Sequence, residues 1–132
     1  MLLTKASEYA LLSLVLMARS EKQEDVDTLS KRLGISRSFL AKILQSLARD
    51  GILVSYKGAK GGFALDKKPS EITIREVIES AEKRPINIFE CSSSQEFCSS
   101  GKGDFCVIWP FLNKFQQKID DFLDGMTLDE IL

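Results

Sequence analysis

A chain of 132 residues, 44% hydrophobic and 28% charged with a net charge of −1, has the size and make-up of one ordinary globular domain, with room for an appended arm. Its longest apolar run, Ala10 to Ala18, is broken by Ser13 and falls well short of a membrane span, so no membrane partner is expected. The opening Met1-Leu2-Leu3-Thr4-Lys5 lacks the basic region, apolar core and small-residue cleavage site of a secretory signal, and the expected location is the cytoplasm, where thiols stay reduced.

In chain order, residues from about Lys5 to Arg19 predict a helix whose Leu11, Leu12, Leu14, Val15 and Leu16 make it apolar nearly all round. Such a helix must be deeply buried or shared between subunits. After a polar connection, a short helix from about Asp27 to Leu33 is expected to end at Gly34. Ser36 is placed to cap a further helix running to about Asp50, with Gly51 closing it. Leu40, Ile43, Leu44 and Leu47 form its i, i+3, i+4, i+7 stripe, while Arg37, Ser38, Lys42, Gln45 and Arg49 share the opposite face. Two short strands follow, Leu53–Tyr56 and Phe63–Leu65, joined by a glycine-rich tip carrying Lys57 and Lys60. Pro69 and Ser70 break the chain, and Thr73 can cap a helix bearing Ile74, Val77, Ile78 and Ala81. A loop from about 90 to 106 precedes a long amphipathic helix with Ile108, Phe111, Leu112, Phe115, Ile119, Phe122 and Leu123 on one broad face. Thr127 and Glu130 have the spacing of a capping box.

Two features point to chemistry. The first is charge: residues 31 to 68 hold nine Lys/Arg against two acids, a net +7, and the remainder of the chain is −8. A basic block inside an acidic chain is a footprint for a polyanion, although a solvated basic face would look the same. The order of helix, short helix, glycine turn, capped helix and lysine-tipped hairpin is that of a winged helix-turn-helix, so the expected fold is mainly α with a two-stranded wing. Its capped helix would enter the major groove of double-stranded DNA, and its hairpin would reach the minor groove or the phosphates. The second feature is sulfur. Cys91, Cys98 and Cys106 are the only cysteines and share one serine- and glycine-rich segment, and the chain has no histidine. Metal or cluster binding, a disulfide with one thiol left over, and three unrelated thiols all remain open on cysteine arithmetic. With no histidine for acid–base work and no nucleophile motif or phosphate loop, an enzyme is not expected.

The ordered set Leu3-Thr4, Tyr9-Ala10, Leu33-Gly34-Ile35-Ser36, Leu47, Asp50-Gly51, Leu53, Gly58-Ala59-Lys60-Gly61-Gly62-Phe63, Ile74, Glu76-Val77-Ile78, the three cysteines and Thr127-Leu128 resembles the IscR/NsrR-type winged helix-turn-helix regulators over nearly the whole chain. The resemblance implies a DNA-binding transcription regulator whose affinity is tuned by an iron–sulfur cluster (2Fe-2S or 4Fe-4S) that senses iron–sulfur status, nitric oxide or oxidants. It also implies a homodimer on a two-fold site, with the long C-terminal helix as dimer element. Residues 1–84 would form the DNA-binding domain, 85–106 the cluster loop, and 107–132 the dimerisation helix and final turn. Ser36, Arg37, Ser38, Phe39, Lys42, Gln45, Lys57 and Lys60 would contact DNA. Cys91, Cys98 and Cys106 would be the thiolate ligands.

The chain also departs from the family pattern. The cysteine gaps are six and seven residues, where cluster-binding relatives usually have five and five. The place of the histidine ligand in IscR-like members is taken by Trp109, which cannot ligate. Resemblance to NsrR-like members makes Glu8 of a partner subunit the fourth ligand, with Asp104 as the local competitor. The alternatives are a thiol-based redox regulator of the same fold without a cluster, and an interaction protein stabilised by structural zinc. Zinc is disfavoured because three thiolates without histidine leave its tetrahedron incomplete.

Overall fold

The computed structural model describes residues 3–59, 61–98, 101 and 105–132. Among the described residues five helices and one antiparallel hairpin are the main elements, an architecture that is mainly α, as the sequence predicts.

Helix α1, Lys5–Ser20, starts at Thr4, whose hydroxyl accepts the Ala6 N–H at 3.2 Å. Its buried residues are Ser7, Ala10, Ser13, Leu14 and Met17, one face at helical spacing, and Ser7 on that face donates its hydroxyl to Glu82 of the later helix Ile74–Glu82. Burial is therefore one-sided. Leu11, Val15 and Leu16 are half-buried against the core and Leu12 is 42% exposed, because the neighbouring elements cover only one flank of this apolar helix.

Helix α2, Val26–Leu33, is capped by Asp25, which accepts the Thr28 N–H and hydroxyl. Those two bonds hold the Asp25 carboxyl below the usual carboxylate range. Gly34 closes the helix at φ +69°, a left-handed backbone that glycine adopts without a Cβ penalty. That turn delivers the chain to Ser36, whose hydroxyl accepts the Phe39 N–H at 3.1 Å and starts α3, Arg37–Arg49. The stripe Leu40, Ile43, Leu44 and Leu47 is buried as predicted.

Strands β1, Leu53–Tyr56, and β2, Gly62–Leu65, pair antiparallel with Leu53 opposite Leu65 and Tyr56 opposite Gly62. β2 begins one residue earlier than the sequence predicts. Gly62 sits at φ +148°, and a Cβ there would lie 2.6 Å from the Glu24 carbonyl oxygen. The close approach arises because Glu24 and Phe63 exchange both backbone hydrogen bonds at 2.8 Å, fastening the hairpin to the segment before α2.

A short 3₁₀ turn, Pro69–Glu71, leads to α4, Ile74–Glu82, capped by the Thr73 hydroxyl. The loop after α4 includes a 3₁₀ turn at Gln95–Phe97 and buries Ile86. Helix α5, Trp109–Asp124, packs Ile119 and Leu123 against Ile74, Ile78 and Ile86. The chain then returns to the body of the fold. The Ile74 N–H donates to Met126 O, the Leu128 N–H donates to Ile72 O, and Leu128 is fully buried in the main core. The capping box of Thr127 and Glu130 forms around the closing 3₁₀ turn, Leu128–Ile131. Among the described residues no helix is long and apolar enough to cross a membrane.

Candidate functional site

The residues that the sequence leads one to expect at DNA lie around α3 and the hairpin tip, and Arg37 of α3 and the tip border one cleft. Ser36, Arg37, Ser38, Phe39, Lys42 and Gln45 are all exposed; Ser38, Lys42 and Gln45 line the side of α3 opposite the buried leucine stripe, while Ser36, Arg37 and Phe39 stand around its start. Arg37 and the tip residues Gly58, Ala59 and Gly61 border the same cleft, about 590 Å³, between the wing and the start of α2. Lys57 is exposed at the tip, and Lys60 lies outside the described residues.

Individual contacts refine the roles. The Ser36 hydroxyl is engaged as the helix cap, and Phe39, 40% exposed, rests edge-on against the Tyr9 ring at 5.9 Å rather than entering the core. Arg37 pairs with Asp27 at the start of α2, and Arg49 reaches Asp50 and the Ser46 hydroxyl. Lys42 and Lys57 make no ion pair among the described residues. Arg32 faces the buried Glu24 carboxylate at 3.6 Å. The buried Ser46 hydroxyl donates to Ser80 O at 2.8 Å, which fixes α3 against α4. Residue types at helical spacing located the exposed face, but they carried no sign of the Asp27 partner or the Ser80 anchor. Both contacts join different elements.

The cysteines form the second part of the site. All three are free; Cys91 is buried, whereas Cys98 and Cys106 are half-buried. Burial pushes the Cys91 thiol up, and the Cys98 and Cys106 thiols add to that rise. Trp109 donates its indole N–H to the Cys91 carbonyl at 2.8 Å. Glu8 is half-exposed on α1 and accepts a hydrogen bond from Lys5 at 2.7 Å, an interaction that raises the Lys5 pKa. Asp104 lies outside the described residues. Three thiolates are suitable donors for an iron–sulfur group. Their arrangement does not yet fit one: among the described residues no three Cys, Asp or Glu side chains converge into a metal-holding group.

The sequence matches the profile of the Rrf2 family, described as an iron-dependent transcriptional regulator, over residues 3–132. The HTH-type transcriptional regulator IscR of Pectobacterium atrosepticum is 31% identical over 134 residues, covering 100% of this chain and 79% of the relative. Two solved structures share the fold. That of T. potens IscR has a TM-score of 0.73 at 22% identity, covering 98% of this chain and 84% of the other. That of CymR (YrzC), the global cysteine regulator of B. subtilis, has a TM-score of 0.71 at 20% identity, covering 98% and 94%.

Proposed function

Because the chain belongs to the Rrf2 family of transcriptional regulators, which are not enzymes, we propose that it binds double-stranded DNA as a homodimer in the cytoplasm and that its affinity is tuned at Cys91, Cys98 and Cys106. The observation that carries the DNA reading is that Arg37, Ser38, Lys42 and Gln45 are exposed on α3, and that Arg37 at its start borders the same cleft as the wing tip. A helix presenting its first turns beside a basic hairpin can set side chains against base edges while the hairpin holds the backbone. The dimer reading rests on α5, where Ile108, Phe111, Phe115 and Phe122 are all exposed on one flank. So wide an apolar surface on a small chain marks an interface.

For the tuning, the finer proposal is an iron–sulfur cluster held by the three thiolates, with Glu8 of the partner subunit as an oxygen ligand. It is supported by the donor chemistry and by the family's iron dependence. A second reading, thiol oxidation without a cluster, is favoured by the lack of convergence among the described donors. Anaerobic purification separates them. A brown protein with stoichiometric iron and sulfide, lost in Cys91→Ala, is expected, and Glu8→Ala should keep the colour but alter the spectrum. A colourless protein whose DNA affinity still changes on oxidation establishes the second reading. A protein that binds no duplex in any redox state refutes both.

A further inference from the structure

Helix α5 has a third surface besides its packed and its exposed apolar ones. Trp109, Asn113, Gln116 and Asp120 recur every three or four residues and so stack along one side. The first three end on the segment that carries the first cysteine. Trp109 bonds the Cys91 carbonyl, and the Asn113 Nδ2 donates to Ser92 O at 3.0 Å. Gln116 is 3% exposed. Its Nε2 donates to Ile86 O at 2.7 Å and to Asp120 Oδ1 at 2.8 Å. Its Oε1 accepts the Ile88 N–H at 2.9 Å and faces the Ser92 hydroxyl at 2.7 Å. That hydroxyl also lies 2.7 Å from Phe89 O, so its single proton serves both acceptors.

Every hydrogen-bonding position of the Gln116 amide is thus occupied, in a buried place where an aliphatic side chain would pack without the need for partners. A buried amide is tolerated only when so satisfied, and it then specifies one geometry. No α5 side chain grips the backbone of Cys98 or Cys106 among the described residues; the Cys98 N–H returns locally to Gln95 O. The three thiols are therefore unequal, with Cys91 built onto the helix.

We propose that Trp109, Asn113 and Gln116 are positioning residues that make the Cys91 segment part of α5, so that chemistry at the thiols is transmitted to that helix and to its exposed face of Phe111, Phe115 and Phe122. The proposal rests on the reading that the thiols tune DNA affinity, and it adds the route. Drawing Cys91 from its buried place must either break these bonds or carry α5 along.

The test uses the reduced, metal-free full chain and iodoacetamide, with each thiol followed by peptide mass spectrometry. Trp109→Phe keeps a ring and removes only the N–H. One neutral hydrogen bond corresponds to about a fivefold change, so Cys91 alkylation should quicken about fivefold while Cys98 and Cys106 stay within about twofold. Asn113→Ala should act in the same direction. An unchanged Cys91 rate in both variants, or an equal rise at all three thiols, overturns the proposal. A second arm compares duplex affinity before and after exhaustive alkylation. The parent should change by about fivefold or more, and the double variant Trp109→Phe, Asn113→Ala by less than about twofold. Equal changes in parent and variant overturn the transmission route while leaving thiol tuning intact. No change in either removes the tuning and the proposal together.

Discussion

Lys57→Ala should flatten the salt dependence of DNA binding and leave the fold untouched. The reason lies in which cations are already engaged. Arg37 is held by Asp27 and Arg49 by Asp50, so each must surrender a carboxylate before it meets a phosphate. Lys57 stands exposed at the hairpin tip without an ion pair among the described residues. Each phosphate it neutralises releases counterions, which contributes about 0.9 to the slope of log K against log salt. Two wings on a two-fold site make the expected loss about 1.8. Between about 50 and 200 mM salt, the parent's fall in affinity should exceed the variant's by about twelvefold. Fluorescence anisotropy on a labelled duplex across a salt series measures this directly. Thermal unfolding of the variant should match the parent within about 0.5 kcal/mol, as for other surface changes. A slope within about 0.3 of the parent's refutes the placement of the tip on the phosphates, because the lost charge would then be one that DNA never saw.

Two other substitutions probe the scaffold and the assembly. Glu82, whose side chain is 6% exposed, accepts from the Thr4 N–H at 3.1 Å and from the Thr4 and Ser7 hydroxyls at 2.6 Å. Burial works to raise its pKa, but the bonds from Ser7 and Thr4 outweigh it and leave the carboxyl below the ordinary glutamate value. Glu82→Gln should therefore cost about 1.5–3 kcal/mol near neutral pH by denaturant unfolding. The carboxylate's contribution is present above the unfolded pKa and is lost as pH falls through the lowered folded one, so the gap between parent and variant should close in acid; a gap that widens there contradicts the assignment. Phe115→Asp, on the exposed flank of α5, should convert a dimer to a monomer in sedimentation at micromolar concentration with the helical spectrum intact. A monomeric parent, or a variant of unchanged mass, removes α5 from the interface.

Local signals in the sequence foretold most of the elements, and long-range contacts account for what they did not foretell. The caps at Ser36 and Thr73, the Gly34 turn, the leucine stripe of α3 and the Thr127–Glu130 box each depend on residues a few positions apart, and each appears where those residues predict it. Apolarity nearly all round α1 pointed to deep burial or to sharing between subunits; within one chain the burial is one-sided and Leu12 stands 42% exposed, because the period of a helix says which side is apolar and not how many neighbours will cover it. The return of Leu128 to Ile72, the Ser46–Ser80 anchor and the Glu82 cluster join residues 34 to 78 positions apart, and nothing local announces them. At the site, the exposed face of α3 was legible from charge and spacing. The grip of α5 on Cys91 left a trace, a polar stripe at 109, 113 and 116 within an aromatic helix, but a stripe alone does not say what it holds. Trp109 read only as a residue unable to ligate; its indole N–H turns out to serve the peptide of the first cysteine instead.

The paired bonds between Glu24 and Phe63 bear on the entropy of recognition. A lone two-stranded hairpin is marginally stable in water, and one that ordered only on contact with the duplex would surrender about 1–2 kcal/mol of backbone freedom per residue at that moment. That cost is subtracted from affinity. Here Phe63 is part of the core and the segment before α2 supplies an extra rung, so the paired strands are ordered when the chain folds. The contact energy of residues these strands carry toward the duplex can then appear in the binding constant with little deducted for arranging the strands.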